Sequence, residues 1–249
     1  APGRAPARMR PMQQVGIPVA GGKVLRAELG MPAGEGRRAA VIVIHEIFGL
    51  NDDIRGKAEH FADAGYVALA PDLYSILGSK PICVVRAMLS LRKREGPAFA
   101  GLEAARQWLA DRPDVDPSRI GVIGFCMGGG FALGFAARSP LGAAAVFYGD
   151  VPKDEGALEG VCPVVAGYGG RDAIFGKHAE RLEDHLNVLG VENDIKLYAD
   201  AGHGYMSEHT GAMAKLLSWG PMKVGFRPEA AEDSWRRVDA FFADHLGAG

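Results

Sequence analysis

Cysteine is scarce in this chain of 249 residues: Cys83, Cys126 and Cys162 are an odd number, and no two of them form the CxxC pair of zinc or dithiol chemistry. A chain this long needs no covalent staples, so three free thiols in a reducing compartment are expected, which points to the cytoplasm. Charge of one sign is lacking too. Lysine and arginine number 28 against 30 acidic residues, leaving a net charge of −2. No basic stripe offers a footprint for nucleic acid or for an anionic membrane surface. The basic, proline-rich start APGRAPARMRPM is followed by no apolar core of a signal peptide, so residues 1–14 are expected to be a disordered tail. Residues 120–137 run eighteen positions without a charge, the lower length for a membrane span, but six of them are glycine, which argues against insertion. No HExxH or paired Cys/His spacing suggests a metal: His178 and His185 could share a helix face, and His203 and His209 lie close in sequence, yet neither pair fits a known ligand pattern. No repeat, low-complexity tract or linker divides the chain. With 48% hydrophobic residues, positions 15–249 are expected to form one globular domain.

What is abundant is glycine, 35 residues without a triplet period, which implies tight turns and close backbone approaches. Gly21 and Gly22 between apolar stretches at 15–19 and 23–29 predict an antiparallel hairpin at a sheet edge. The run AAVIVI at 39–44 is continuous rather than alternating, the pattern of a strand buried on both faces. Asn51 can cap a following helix whose first turn carries Asp52 and Asp53, with Gly65 closing it. Strands at 66–70, 119–123, 143–147, 163–168 and 194–198 then alternate with helices at 97–111, 127–138, 176–189 and 228–246. Parallel strands need such crossovers, so the fold class is α/β, a doubly wound, mostly parallel sheet with helices on both faces. Its active site belongs beyond the carboxyl ends of the strands. Residues 73–95 and 205–227 break the alternation and are expected as irregular walls of a pocket, with 206–227 a candidate lid.

The strongest chemical signal is GFCMG at 124–128, directly between the strand RIGVI and a helix. A nucleophile on a sharp strand-to-helix turn has a strained backbone, and the flanking glycines leave room where side chains would collide. Cys126 stands at the nucleophile position, where the helix amino terminus favours thiolate. A GxGxxG phosphate loop does not match here. Such an elbow requires an acid and then a histidine, each just past a later strand. Asp172 and His203 satisfy that order. His203 would move the thiol proton, and Asp172 would hold its tautomer. The oxyanion would be received by the Met127 N–H and by one from the loop after strand 39–44, for which Ile47 is the candidate. Glu46 beside a thiolate would oppose it by like charge or serve as a base. Tyr74 and Tyr148 end strands on the active side and are candidates to line the pocket.

The segments VIVIHEIFGLNDDIRGKAEHFADAGYVALAPDLY, GFCMGGG, YGGRD and AGHGY together resemble the dienelactone hydrolase (carboxymethylenebutenolidase) family, over residues 15–246. The resemblance implies an α/β-hydrolase fold and a Cys-His-Asp triad of Cys126, His203 and Asp172. It implies that Glu46, the family's EIFG glutamate, sits by the resting thiol and assists its deprotonation when substrate shifts it. The reaction implied is hydrolysis of a small ester or enol-lactone through a thioester, without metal or cofactor. Two departures bear on substrate. Well-studied members carry an arginine shortly after the histidine to grip the substrate carboxylate, whereas Gly204-Tyr205-Met206-Ser207 stand here and no arginine occurs before Arg227. The residues after 206 also run longer than the family's usual end. Arg86 is the candidate for the carboxylate contact. A broader carboxylesterase or thioesterase on the same fold, and a non-catalytic pocket protein with a reactive cysteine, are the alternatives.

Overall fold

The computed structural model describes residues 12–78, 82–208 and 218–247. They contain one eight-stranded sheet, formed by β1 (Gln13–Val19), β2 (Lys23–Gly30), β3 (Arg38–Ile44), β4 (Val67–Pro71), β5 (Val115–Phe125), β6 (Ala143–Phe147), β7 (Val164–Gly169) and β8 (Asn193–Tyr198). The order is β1-β2-β4-β3-β5-β6-β7-β8. β1 and β2 pair antiparallel through a turn in which Gly21 and Gly22 both have positive φ, at 78° and 72°; β2 also runs antiparallel to β4, and every later pairing is parallel. The expected edge hairpin and parallel core are therefore present. Of the expected tail, residues 1–11 lie outside the described residues, and Gln13 and Gln14 are already paired in β1.

Seven α-helices surround the sheet among the described residues: α1 (Asp52–Asp63), α2 (Tyr74–Leu77), α3 (Ile82–Lys93), α4 (Pro97–Ala110), α5 (Met127–Ala136), α6 (His178–Val188) and α7 (Pro228–Leu246). The side chain of Asn51 accepts from the Ile54 N–H, so the expected cap is made. Residues 39–44 of β3 are fully buried, which requires cover on both faces of the sheet. Phe61 of α1 meets Phe242 of α7, ring centroids 5.7 Å apart, and Phe99 of α4 meets Phe131 of α5 at 5.2 Å. No helix among the described residues is long and apolar enough to cross a membrane.

The stretch 73–95, expected to be irregular, is mostly helical. Its β-branched residues Ile82, Val84 and Val85 disfavour helix locally, but Cys83, Ala87, Ser90 and Leu91 recur at helical spacing and are all buried. Packing of that stripe overrides propensity. Phe242 fixes α7 against α1 and is fully buried, so Phe242→Ala should cost about 3–5 kcal/mol, read as a lower denaturant midpoint; an unchanged midpoint would show that the α1–α7 contact contributes little.

Candidate active site

β5 ends at Phe125 and α5 begins at Met127, leaving Cys126 alone on the turn with φ 54° and ψ −118°. A non-glycine residue held there costs about 1–3 kcal/mol and persists only where its surroundings over-determine it. They do: the Cys126 N–H donates to the Phe147 carbonyl at the end of β6, and the Gly129 N–H donates to the Cys126 carbonyl, each at 3.0 Å. The flanking glycines are a steric requirement. A Cβ at Gly124 would lie 2.0 Å from the Gly128 carbonyl oxygen, and one at Gly128 would lie 2.4 Å from the Ile44 carbonyl oxygen on β3. Met127 is the first residue of α5, so its N–H has no intrahelical acceptor.

The loop after β3 is pinned by His45, a residue the sequence reading did not single out. The Leu73 N–H donates to His45 Nε2 at 3.2 Å, and Nδ1 lies 2.7 Å from the Glu46 carbonyl. An amide can only donate, so Nε2 is the acceptor and Nδ1 carries the proton given to Glu46. Burial lowers the ring's pKa and keeps it neutral. Tyr74 completes the clamp by donating its hydroxyl to the Ile47 carbonyl at 2.7 Å.

Asp172 follows β7 and divides its two oxygens. Oδ1 accepts from the Ile174 and Phe175 N–H groups at 3.0 and 3.1 Å, and Oδ2 lies 2.7 Å from His203 Nδ1. His203, past β8, is held by its own backbone, which donates to Met222 and accepts from Gly225. Its ring sits between Phe175 and Tyr148, with centroids 5.1 and 5.0 Å away. Nε2 is buried without a hydrogen-bond partner among the described residues. Burial works against the ring's charge, but Asp172 and the Cys126 side chain outweigh it and push the pKa up to about 10. Because that value lies above the ordinary 6.5, the contribution of this pair to stability is complete below pH 6.5 and is lost as pH rises through about 10.

Cys126, Met127, His203, Glu46 and Ile47 line one cavity of about 880 Å³. Glu46 is buried, and its Oε1 accepts from Ser207 at 3.1 Å and from Tyr148 at 3.3 Å. The structure places three sequence candidates elsewhere: among the described residues, Arg86, Tyr74 and Tyr148 do not line this cavity. Arg86 donates Nη1 to the Leu77 carbonyl at 2.8 Å, tying α3 to the end of α2. Tyr74 and Tyr148 brace the loop and Glu46 from behind. Three other arginines, Arg92, Arg94 and Arg181, line the cavity, and of these Arg94, just past α3, has φ 54° and a buried Nη1 without a hydrogen-bond partner among the described residues. Its positive φ gave no sign in the sequence. Of the candidate lid, residues 209–217 lie outside the described residues; Met222 and Val224 form part of the cavity wall, and Met206 and Ser207 are buried. His178 accepts from the Val151 N–H and His185 donates to the Pro152 carbonyl, so each is occupied by neighbouring backbone; His209 lies outside the described residues.

A mostly parallel sheet with a sharp strand-to-helix turn at Cys126, and with Asp172 and His203 beyond later strands, is the arrangement of the α/β-hydrolase fold, and the chain is a carboxylic ester hydrolase of that fold. A thermophilic carboxylesterase from a metagenomic library, 17% identical, shares this fold over 96% of this chain and 90% of its own, with a TM-score of 0.66. More narrowly, the chain belongs to the dienelactone hydrolase family, whose model matches residues 25–246. A relative from Saccharolobus solfataricus, named "Putative carboxymethylenebutenolidase", is 30% identical over 88% of this chain and 94% of its own length. The solved protein m3DLH is 26% identical, covering 96% of this chain and 99% of its own with a TM-score of 0.78. Asp172→Asn should move the His203 imidazole, followed by NMR titration, from about 10 back toward its ordinary value; an unmoved titration would deny Asp172 its hold on the ring.

Proposed function

We propose that this chain hydrolyses a small ester or enol-lactone through a thioester on Cys126, with His203 and Asp172 completing the triad. The observation that carries the reading is the 2.7 Å bond from His203 Nδ1 to Asp172, which leaves Nε2, without a hydrogen-bond partner among the described residues, for the nucleophile in the same cavity. His203 Nε2 takes the Cys126 proton and the sulfur attacks the substrate carbonyl carbon. The charge that builds on the carbonyl oxygen is received by the Ile47 and Met127 N–H groups. On collapse the C–O bond breaks, the leaving oxygen takes the proton from His203, and the acyl group remains on sulfur. Water then attacks the thioester, giving a proton to His203; the C–S bond breaks, the acid departs and the sulfur takes that proton back from His203, which restores the thiol. A high imidazole pKa suits the acid half of this cycle, because the ring keeps the proton that the leaving oxygen needs. Glu46, a carboxylate in the same wall, disfavours the thiolate by like charge and so keeps the resting Cys126 as the thiol.

The cavity's charges favour an anionic substrate. Arg92, Arg94, Lys153 and Arg181 line it against two carboxylates, Asp150 and Glu46, and Arg94 Nη1, without a hydrogen-bond partner among the described residues, supplies the carboxylate contact that no arginine after His203 can make. The apolar lining of Phe48, Met88, Leu91 and Phe175 favours a second reading, a broader carboxylesterase. Turnover of a dienelactone and of p-nitrophenyl acetate side by side separates the two.

Cys126→Ala should lower kcat/KM for either substrate on the order of 10⁴-fold or more with the fold intact by circular dichroism; retained turnover would remove the elbow cysteine from the mechanism. Arg94→Met should raise KM for the carboxylate-bearing lactone about tenfold more than for p-nitrophenyl acetate, the worth of a lost charged hydrogen bond. Equal changes for the two would contradict the carboxylate contact.

A further inference from the structure

The residues of α1 that face the core are Ile54, Lys57, Ala58 and Phe61, and one of the four is a lysine. Lys57 is 5% exposed, and a buried ammonium is costly unless it is paired and hydrogen-bonded. Its Nζ donates to Asp53 Oδ2 at 2.5 Å and to Ser207 Oγ at 3.2 Å, and it stands 5.0 Å from the centre of the Phe125 ring, next in the chain to Cys126. Asp53 is the partner expected one helical turn away. The inward reach to Ser207 is the part that this ion pair does not explain.

Ser207 is fully buried. Lys57 can only donate, so the serine oxygen accepts from it and gives its single proton to Glu46 Oε1 at 3.1 Å. Tyr148 gives its proton to the same oxygen at 3.3 Å. Burial first, and the charge of Glu46 second, push the Tyr148 pKa well up, so this hydroxyl remains a donor. Every proton in the chain therefore runs in one direction, from Lys57 through Ser207 to Glu46, and ends on an oxygen that can only accept.

We propose that Lys57 is a positioning residue of the active site, which through Ser207 holds Glu46 as an aligned, ionised carboxylate in the wall it shares with Cys126. The proposal rests on the reading of Glu46 as a group coupled to the Cys126 thiol. Among the described residues, the charged and titratable groups around Glu46 include Lys57 and Asp53 from α1, its neighbour His45 with Asp72 beyond it, Tyr148 after β6, Cys126 at the elbow and His203 after β8. Of these, Lys57 is the cation that reaches it through a continuous hydrogen-bonded path. Loss of that charge makes Glu46 easier to protonate, because an opposite charge nearby favours the ionised form.

The test is the pH profile of Cys126 alkylation by iodoacetamide, read on the Cys126 peptide by mass spectrometry. It is measured for the wild type, Glu46→Gln, Lys57→Met, Ser207→Ala and the double variant Glu46→Gln/Lys57→Met, each checked for its melting temperature. The limb of the profile that Glu46→Gln abolishes should move to higher pH by about one unit in Lys57→Met and Ser207→Ala. In the Glu46→Gln background, Lys57→Met should change the rate less than twofold. Independent, multiplying effects of the two substitutions, or a folded Lys57→Met with the wild-type profile, would overturn the role of Lys57 alone. A wild-type profile in Glu46→Gln would instead overturn the coupling of Glu46 to the thiol, and the proposal with it. If Lys57→Met fails to fold, Ser207→Ala, which keeps the lysine and its ion pair with Asp53, decides by the same shift.

Discussion

The close passage of the β5–α5 turn over the ends of β3 and β6 is the constraint on which the site depends. Gly124 meets the Gly128 carbonyl, and Gly128 meets the carbonyls of Ile44 and His45, at distances that no Cβ could share. That contact forces Cys126 into a positive φ and puts the first free amide of α5 beside the loop after β3. Strain at one residue is repaid by the hydrogen bonds that hold it, and the same bonds fix where the sulfur emerges. Everything chemical in the cavity is placed relative to this turn: the His45 clamp from β3, Tyr148 from β6, Asp172 from β7 and His203 from β8.

Two buried charge systems converge there. One is Asp172 and His203, in which a carboxylate shared between turn amides and an imidazole raises the affinity of the ring for a proton. The other is Lys57, Ser207, Tyr148 and Glu46, in which hydroxyls carry the influence of a buried ammonium to a carboxylate. Tyr148 touches both, since its ring lies against His203 while its hydroxyl serves Glu46. The wall facing Cys126 is thus built of groups whose protons are committed in advance, which is what electrostatic preorganisation requires.

How far the sequence foretold this differs by element. β6 at Ala143–Phe147 and α7 at Pro228–Leu246 have the bounds expected from their patterns, because a short apolar run between turns and a proline-started amphipathic helix are local signals. The elbow and the order of Cys126, Asp172 and His203 along the chain were legible because the steric rule behind them is written in adjacent residues. Residues 73–95 read as irregular because they interrupt the alternation of strands and helices; Cys83, Ala87 and Leu91 carry helical spacing, but β-branched neighbours weaken that signal. Arg86 and Arg94 could not be ranked from sequence, since their difference is one of direction: the first closes on the Leu77 carbonyl, and the second faces the cavity from a left-handed backbone position. Lys57 and Ser207 lie 150 residues apart. Only a lysine on the apolar stripe of α1 hinted at their meeting.

The most direct measurement is rapid acid quenching of the wild-type protein during turnover of an aryl ester, with mass analysis of the peptide that holds Cys126. A cysteine mechanism gives the acyl mass on Cys126, released by hydroxylamine as a thioester should be. An acyl group carried by any other side chain, with Cys126 unmodified, would contradict it.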